Sequence, residues 1–376
     1  MVAINADGLS AVRPRGPRTA MQSSAGAPLQ SVQGRWECVD SASDPAWERE
    51  TKQHPEAGPF HQRGWVELLK ETYGHCPIRL RVVEDDATAV QVPLAEVNSW
   101  LTGRRGVSLP FTDACDALSF RKPPTNAFST LCDLGRNRGW KYLELRGSAL
   151  VPGEATPSIR YWGHELDLTP GAQSLHQEYA PSVRRAIRKA EASELRIEHS
   201  TSVKSVRAYY DLHVRTRRRH GVPPQPWRFF ANIHRILLEQ GGGFVTVAFH
   251  GTTPVAGAIF LHSGTKAVYK FAATDLAFQS MRPANLVVAR AIDRLIDLGI
   301  RSLSFGRTSQ TNAGLRHFKL GWGSHETAIR YFRYHLSRNV WLSRPDSAHG
   351  RIHSLFRHLP TFVNRAFGAL LYPHLD

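Results

Sequence analysis

Apolar and polar positions along the chain predict the same series of elements twice. Strand-like alternation and helical spacing follow one another in the order hairpin, strand, helix, strand. In the first half these elements are predicted, after a short helix over 60–73, at 78–83 with 89–97, 107–111, 125–138 and 140–145. In the second half they are predicted at 244–249 with 255–262, 266–273, 283–298 and 302–305. We interpret the repetition as an internal duplication, although Gly139 and Gly299 would also cap any helix that leads into a strand.

The repeated order indicates a fold of class α/β (α+β) with two domains in tandem. A chain of 376 residues also exceeds what one ordinary core requires. We predict an N-terminal domain over 35–165 and a C-terminal domain over 166–337. Residues 1–34 are rich in Ser, Gly, Ala and Pro and are expected to form a disordered tail. Residues 338–376 are expected to form an amphipathic helical tail.

Composition narrows the class of protein. The hydrophobic fraction of 41% and the lack of a long apolar run predict a soluble, cytoplasmic protein. The four cysteines lie far apart, so neither a disulfide framework nor a zinc site is predicted. The formal net charge of +16 predicts an anionic partner, such as coenzyme A, tRNA, a nucleotide sugar or a lipid headgroup. Charge alone does not choose among them.

Much of this charge lies in residues 179–220, which contain 11 Lys or Arg against 4 Asp or Glu. Arg188 belongs to a stretch with helical apolar spacing, and Arg218 and His220 lead into a loop that contains three prolines. A basic run is usually a solvated helix face. The loop with three prolines is either a rigid connector or a wall of a substrate channel.

The next segment of interest runs from Tyr269 and Lys270 in a strand, through Asp275, to Arg282 and Asn285 at the start of a long helix. Pro283 occupies the first turn of that helix, where backbone N–H groups have no partner in the helix. A preceding arginine adds a permanent positive charge. The segment therefore predicts a phosphate-binding site, against the alternative of ordinary packing of a helix that begins with proline.

Polar side chains are densest between residues 305 and 323. Arg307 follows a strand, and Arg316 and Lys319 have the i, i+3 spacing of one helix face. Ligand-binding and active sites commonly lie at the carboxyl ends of strands in α/β sheets. This segment is therefore the strongest candidate for the active site. The sequence contains no nucleophile elbow, Walker loop or metal-binding motif. We therefore expect a transfer reaction without a metal, driven by orientation and charge stabilisation.

These segments together resemble the FemAB-like branch of the GNAT superfamily, also described as BioF2-like or CelD-like acetyltransferases, including forms associated with exopolysaccharide and PEP-CTERM systems. The resemblance covers most of the chain, and it is carried by short motifs in a characteristic order. They are Trp100–Arg105, Ser108–Phe111, Ile187–Glu191, Arg217–Pro223, Arg282–Leu286 and Phe305–Thr308.

The resemblance implies two GNAT-like domains, each with a mixed, mostly antiparallel sheet flanked by helices, and an N-acyltransferase activity. The donor would be an acyl-CoA co-substrate or, as in the cell-wall members, an aminoacyl-tRNA; the acceptor would be an amine. No tightly bound cofactor is implied. Phe318 and Lys319 match a Phe-Lys pair whose lysine is thought to stabilise the developing oxyanion, so Lys319 is the first catalytic candidate. Asp275 is the second candidate, as acceptor of the amine proton.

The other site residues are assigned by role. We expect Arg282, Asn285 and Arg307 to bind the donor. Met281–Asn285 stands where typical GNAT enzymes have a glycine-rich pyrophosphate loop. The expected substrate-binding residues are Arg188, Arg218, His220, Tyr269, Lys270 and Arg316. The rival hypothesis is a non-enzymatic protein that binds RNA or polysaccharide with the same basic surface.

The C-terminal tail bears on whether the protein contacts a membrane. Apolar residues from Ile352 to Leu370 keep helical spacing, while Arg351, Arg357 and Arg365 lie off that stripe. Such a helix could make a peripheral contact with the inner face of a membrane. The alternative is a helix docked on the body of the protein, interrupted near Pro360.

Overall fold

The structure is a computed structural model, and it describes residues 29–30, 35–39, 44–343 and 356–376. Most of the predicted N-terminal tail and the start of the predicted C-terminal stripe, including Ile352, lie outside the described residues. The strands are β1 Leu29–Gln30, β2 Arg35–Val39, β3 Cys76–Glu84, β4 Ala87–Ser99, β5 Gly103–Val107, β6 Leu118–Ser119, β7 Tyr142–Leu145, β8 Ile159–Asp167, β9 Leu195–Ser200, β10 Gly243–His250, β11 Thr253–Ser263, β12 Lys266–Thr274, β13 Ser302–Ser304, β14 Thr308–Ser309, β15 His325–His335 and β16 Val340–Trp341.

The helices of the described residues lie between these strands and after them. They are α1 Pro45–Gln53, α2 Arg63–Tyr73, α3 Ala127–Asn137, α4 Ala172–Glu178, α5 Pro181–Glu191, α6 Val203–Arg219, α7 Trp227–Asn232, α8 Pro283–Asp297, α9 Ala313–Leu320 and α10 Thr361–Leu371. Short 3₁₀ turns cover Pro59–His61, Leu276–Met281 and Tyr372–His374. A π-helical turn, Ile233–Leu238, continues α7.

One sheet runs through both halves, and β15 joins them. Its main path is β1-β2-β3-β4-β5-β7-β15-β8-β13-β12-β11-β10-β9. Residues 325–331 of β15 pair with β8, and residues 332–335 pair with β7. The predicted division at residue 165 falls inside β8, which pairs with β13 and β15. Strand β8 therefore crosses the predicted division and pairs with two strands of the second half.

The repeated element order is present in the structure as a pair of matching units. In each unit a hairpin is followed by a third strand, a helix and a fourth strand, and the fourth strand is parallel to the third. The parallel pairs are β5 with β7 and β12 with β13; the other described pairings are antiparallel. This is the mixed, mostly antiparallel α/β arrangement that the sequence predicted, with helices flanking the sheet.

One predicted strand is wrong in its bounds. The strand expected over 107–111 instead occupies Gly103–Val107. The chain turns immediately afterwards, because Leu109 and Phe111 adopt φ values of +48° and +61° on either side of Pro110. The amide of Leu109 donates a hydrogen bond to Val107 O. Residues in the left-handed region cannot continue a strand, and the turn sends the following residues toward the second half.

The two halves share apolar packing. One core cluster contains Trp65 and Leu109 of the first half together with Phe229 and Ile259 of the second. A second cluster lies between α8 and the sheet of the second half, and a third is built around β3, β4 and α3. A shared cluster fixes the orientation of the halves, because interiors pack at nearly crystalline density.

The C-terminal segment docks on the body of the protein, as one of the two sequence hypotheses expected. Gly368 of α10 lies so close to Pro224 that a Cβ there would clash with Pro224 O. Farther along, a carboxylate oxygen of Asp376 lies 3.0 Å from Arg105 Nε in β5. Within the described residues, no helix combines the length and apolar character needed to cross a bilayer.

Candidate active site

The candidate site begins where two parallel strands separate. β12 and β13 pair from Lys266 with Ser302 to Val268 with Ser304. Beyond this point β12 continues to Thr274, whereas Phe305 donates its amide hydrogen to His164 O of β8. The chain therefore follows β8 and leaves a gap beside β12. This gap lies at the carboxyl ends of the parallel strands, where α/β sheets commonly bind ligands.

Gly306 gives the turn that opens the gap. Its φ of +68° lies in the left-handed region that glycine tolerates. A Cβ at this position would also be 2.8 Å from Asp113 Oδ2. The position thus requires glycine for both its backbone conformation and the close approach of a carboxylate from the first half.

Helix α9 brings Lys319 to the gap. Asn312 begins the helix and accepts a hydrogen bond from Leu315 N at 3.0 Å. Lys319 is buried, and its Nζ donates to Gly306 O at 2.9 Å and to Arg307 O at 3.1 Å. Burial lowers the pKa of Lys319 to about 8, with Asp113 opposing the shift and Lys270 adding to it. An ammonium has three N–H donors, so among the contacts of the described residues one donor remains for a ligand.

Asp113 is a site residue that sequence reasoning missed. Its Oδ2 lies 3.2 Å from Lys270 Nζ, and its Oδ1 lies 3.8 Å from Arg307 Nε. Burial alone would raise the pKa of Asp113, but the charges of Lys270 and Arg307 hold it below its usual value. Asp113 follows the turn after β5, so only tertiary structure brings it to the second half.

Tyr331 completes what we call the Asp113 cluster: Asp113, Lys270, Arg307, Lys319 and Tyr331. The Tyr331 hydroxyl accepts a hydrogen bond from Arg307 at 2.9 Å and donates to Asp113 O at 2.8 Å. Burial lowers the pKa of Lys270, while Asp113 opposes this shift. The cluster therefore holds three cations around one carboxylate, an excess of positive charge suited to an anionic group.

A cavity of about 440 Å³ lies on the other side of α9, between the starts of α5 and α8. We call it the basic pocket. It is lined by Ser182, Val183, Arg185, Ala186, Lys189, Arg282, Asn285, Gly314, His317 and Phe318. These described lining residues include three permanent cations and no carboxylate. Phe318 faces the pocket while its neighbour Lys319 faces the Asp113 cluster, so α9 is a wall common to both.

The basic pocket brings together two of the predicted donor-binding residues. Arg282 and Asn285 both line it, at the start of α8. Arg282 has a φ of +58°, which is uncommon for a residue other than glycine. The third predicted donor-binding residue, Arg307, lies instead in the Asp113 cluster. Arg185, Lys189 and His317 line the pocket without having been predicted.

The remaining predicted catalytic residue, Asp275, has other partners. Its carboxylate accepts a hydrogen bond from Ala277 N at 3.1 Å and lies 3.0 Å from Arg215 NH1. It thereby caps the turn that leads to Arg282. The role of Asp275 as a proton acceptor stays a prediction.

The predicted substrate-binding residues are divided among several environments. Lys270 belongs to the Asp113 cluster, and Tyr269 packs in the core with its ring 5.3 Å from that of Phe260. Arg316 pairs with Glu326, with Arg316 Nε 2.6 Å from Glu326 Oε2. Arg188 is exposed on α5 and is not among the described residues that line the basic pocket.

Arg218 and His220, the other two, lie at the end of α6. Arg218 Nε donates to Arg357 O at 3.4 Å, in the C-terminal segment. His220 Nε2 lies 3.3 Å from a guanidinium nitrogen of Arg219, and burial lowers the pKa of His220. The structure therefore associates Arg218 with the C-terminal segment. Among the described residues, no group of three or more His, Cys, Asp or Glu side chains is arranged to hold a metal ion.

A comparison with known protein families identifies the domain that contains the candidate site. Residues 178–326 match the model of the family described as acetyltransferase (GNAT) domain. The matched range contains the parallel pair β12 and β13, the basic pocket and Lys319. The chain therefore carries a GNAT domain and is an acyltransferase. The solved structure of FemX has a similar two-unit fold, which is the fold that the resemblance to the FemAB-like branch implied.

Solved structures share the fold of about four fifths of the chain at low sequence identity. FemX has a TM-score of 0.63 and 13% identity over 81% of this chain and 98% of its own. A conserved protein of unknown function from Bacteroides thetaiotaomicron has a TM-score of 0.54 and 9% identity over 79% of this chain and 98% of its own.

A tandem GNAT protein from the clavulanic acid biosynthesis pathway has a TM-score of 0.52 and 12% identity over 80% of this chain and 98% of its own. Like the two preceding similarities, this one concerns the fold alone. The curated proteins include no match to the sequence.

Proposed function

We propose that the protein is an N-acyltransferase that uses an anionic activated donor, with acyl-CoA favoured, and an amine acceptor. The observation that carries this proposal is the arrangement of α9 between the basic pocket and the Asp113 cluster. A donor whose phosphates lie against Arg185, Lys189 and Arg282 would direct its acyl group toward the gap beside β12. Guanidinium and ammonium groups are the usual protein partners of phosphate.

In the proposed reaction, the amine nitrogen attacks the carbonyl carbon of the donor and the carbonyl oxygen becomes an oxyanion. The third N–H of Lys319 would donate to that oxyanion, because the other two donate to Gly306 O and Arg307 O. The amine loses a proton, the bond from carbon to sulfur breaks, and the thiolate leaves and takes up a proton. A preorganised donor of this kind contributes roughly 3 kcal/mol to lowering the barrier.

In the proposed reaction, Asp113 of the first half of the chain helps to hold Lys319 in place. Its carboxylate touches Lys270 and Arg307, and the Gly306 and Arg307 carbonyls receive Lys319. Asp113 is thereby a positioning residue for the Lys319 ammonium. Asp275 remains the candidate acceptor of the amine proton.

An aminoacyl-tRNA donor is the second proposal. It is supported by the exposed basic side chains of α5, including Arg184 and Arg188, and by the FemAB-like fold. In either form we propose a role in cell-envelope or exopolysaccharide biosynthesis, in the cytoplasm and with access to the inner face of the membrane. This role rests on the resemblance in the sequence.

Thermal stabilisation tests the donor. Ligand that binds only the folded state raises Tm, so the purified protein would be heated with acetyl-CoA, longer acyl-CoAs, a charged tRNA pool and a UDP-linked muropeptide. Each would be measured at low and at physiological salt. An increase with an acyl-CoA that persists at physiological salt supports the first proposal. An increase with charged tRNA or muropeptide alone supports the second. Salt-sensitive increases with every polyanion would indicate general binding to the basic surface and would support neither donor.

A further inference from the structure

The C-terminal helix α10 exposes an apolar face to solvent. Five of its residues are exposed, and all of them are apolar: Phe362, Ala366, Phe367, Ala369 and Leu370. Phe362 is 74% exposed and Leu370 is 59% exposed. We call these five residues the outer face of α10. Contiguous exposed apolar residues of this kind are typical of an interaction site.

Contacts on the opposite side fix the helix in this orientation. The buried residues of α10 are Asn364 and Gly368. Asn364 Nδ2 donates to Phe356 O at 2.8 Å, and Gly368 lies against Pro224 O. A polar side chain thus faces the protein while apolar side chains face outward. Rotation of α10 to bury Phe362 would break these contacts, so the exposure is a property of the docked helix.

Trp100 lies close to the end of α10. It is 80% exposed in the turn between β4 and β5. Its ring packs edge-on against His374, with ring centroids 5.2 Å apart, and His374 closes the turn that follows α10. Tryptophan is enriched where proteins meet the interface between lipid and water, because its ring is apolar and its N–H is polar.

Positive charge lies beside the outer face of α10. Arg357 is exposed just before the helix, and Arg218 donates to its carbonyl oxygen at 3.4 Å. Arg365 lies within α10, 3.4 Å from Asp211. The two arginines outside this ion pair, in a chain of net charge +16, complement an anionic surface.

We propose that the outer face of α10, with Trp100 and the basic side chains of Arg218 and Arg357, docks the protein on an anionic lipid bilayer. The apolar side chains enter the boundary between headgroups and acyl chains, and the arginines contact the headgroup phosphates. A helix that lies in the interface in this way combines apolar burial with attraction to anionic lipid. This contact needs no membrane-spanning segment.

Co-sedimentation of the full chain with vesicles tests the proposal without any assay of acyl transfer. The vesicles would consist of phosphatidylcholine with and without phosphatidylglycerol. We expect binding to the vesicles that contain phosphatidylglycerol and weaker binding to phosphatidylcholine alone. The variant Phe362→Ser with Leu370→Ser should lower the partition coefficient by about tenfold or more, because two large apolar side chains are lost.

The matched control is Val203→Ser with Leu298→Ser, which removes two exposed apolar residues elsewhere on the molecule. This control should bind as the unmodified protein does. Arg218→Gln with Arg357→Gln should reduce binding to phosphatidylglycerol vesicles by roughly fivefold for each charge removed, with little change on phosphatidylcholine. Far-UV circular dichroism and Tm would establish that each variant is folded.

Three results would overturn the proposal. The first is the absence of binding to phosphatidylglycerol vesicles. The second is binding that the Phe362 and Leu370 variant leaves unchanged. The third is a protein that is dimeric by light scattering and becomes monomeric in this variant, since a second copy would then cover the outer face of α10. None of these results bears on acyl transfer, so the proposed function would stand or fall separately.

Discussion

Each half contains one pair of parallel strands, β5 with β7 in the first half and β12 with β13 in the second. The strands stay joined in the first half and separate in the second, where a gap opens. In the first half, Ser108 N donates to Glu144 O and Arg146 N donates to Ser108 Oγ. These hydrogen bonds keep the strands joined beyond the last paired residues. In the second half, Phe305 bonds to His164 of β8 instead. The same topology can therefore form either a closed structural unit or a site. The difference depends on whether the amides at the strand ends donate to the parallel partner strand or to the strand on the other side.

The closed half still takes part in the candidate site. Arg146 NH1 donates to Thr112 O at 2.8 Å, and this contact holds the loop that presents Asp113 to Lys270 and Arg307. Polar side chains at the end of the first parallel pair therefore anchor a loop, whereas those at the end of the second pair face a gap. Of the two similar units, the first thus acts as a scaffold for the second.

The largest expected effect comes from removing the ammonium that faces the gap. Lys319→Ala should lower kcat by roughly 100-fold to 1000-fold, because one oxyanion donor is lost. The donor Kd should change little, since Lys319 is not among the residues that line the basic pocket. Steady-state kinetics with the donor identified by thermal stabilisation, and calorimetry for Kd, would measure both. An equal loss of binding and rate would favour a passive role for Lys319.

The next effect concerns the close approach between the halves at Gly306. Gly306→Ala should lower the free energy of unfolding by about 1–2 kcal/mol more than Gly323→Ala. Both glycines have positive φ, but a Cβ at Gly323 would meet no atom of the described residues within 4 Å, whereas one at Gly306 would meet Asp113. Urea unfolding of the two variants checks the difference. Equal destabilisation would mean that the Asp113 loop can move away without cost.

A smaller effect is expected at the start of α8. Arg282→Gln should weaken donor binding by about tenfold, because one of the cations in the basic pocket is lost. At saturating donor, kcat should be almost unchanged. Arg290→Gln is the matched control, since Arg290 lies on the same helix and pairs with Glu191. If both variants bound the donor equally well, the basic pocket would not be the donor site.

The smallest effect is a dependence on pH. Lys319 has a pKa of about 8, so its ammonium is mostly present at neutral pH and is lost as pH rises through 8. If the ammonium stabilises the oxyanion, the plot of kcat against pH should have an alkaline limb that belongs to Lys319. Along this limb kcat should fall by about half between pH 7 and 8. Lys319→Arg should remove this limb, because arginine stays charged. A limb that survives in Lys319→Arg would belong to another group.

Sequence patterns predicted the element order and several site residues, but not the partners that the fold brings together. Lys319 could be predicted because the residues that indicated it, Phe318 and Arg316, are its neighbours in the same short helix. Asp113 could not, because its contacts with Lys270 and Arg307 join segments that lie far apart in the chain.

One strand bound was wrong for a local reason, and one pair of predicted site residues is divided between two sides of a strand. Alternation predicted a strand through Phe111, whereas the positive φ values of Leu109 and Phe111 end it at Val107. Tyr269 and Lys270 were both expected at the substrate, yet successive residues of a strand face opposite sides. Tyr269 packs in the core and Lys270 meets Asp113. The sequence could not indicate which of the two sides leads to the site.

Strand β15, which pairs with both β7 and β8, also has a consequence for synthesis of the protein. On the ribosome, the first half cannot complete its sheet until nearly all of the second half has emerged, since the partner of β7 is made so late. Until then β7 presents an open strand edge, which in other proteins favours pairing with neighbouring chains. We therefore expect that nascent chains halted before His335 depend on chaperones, and that either half produced alone would aggregate.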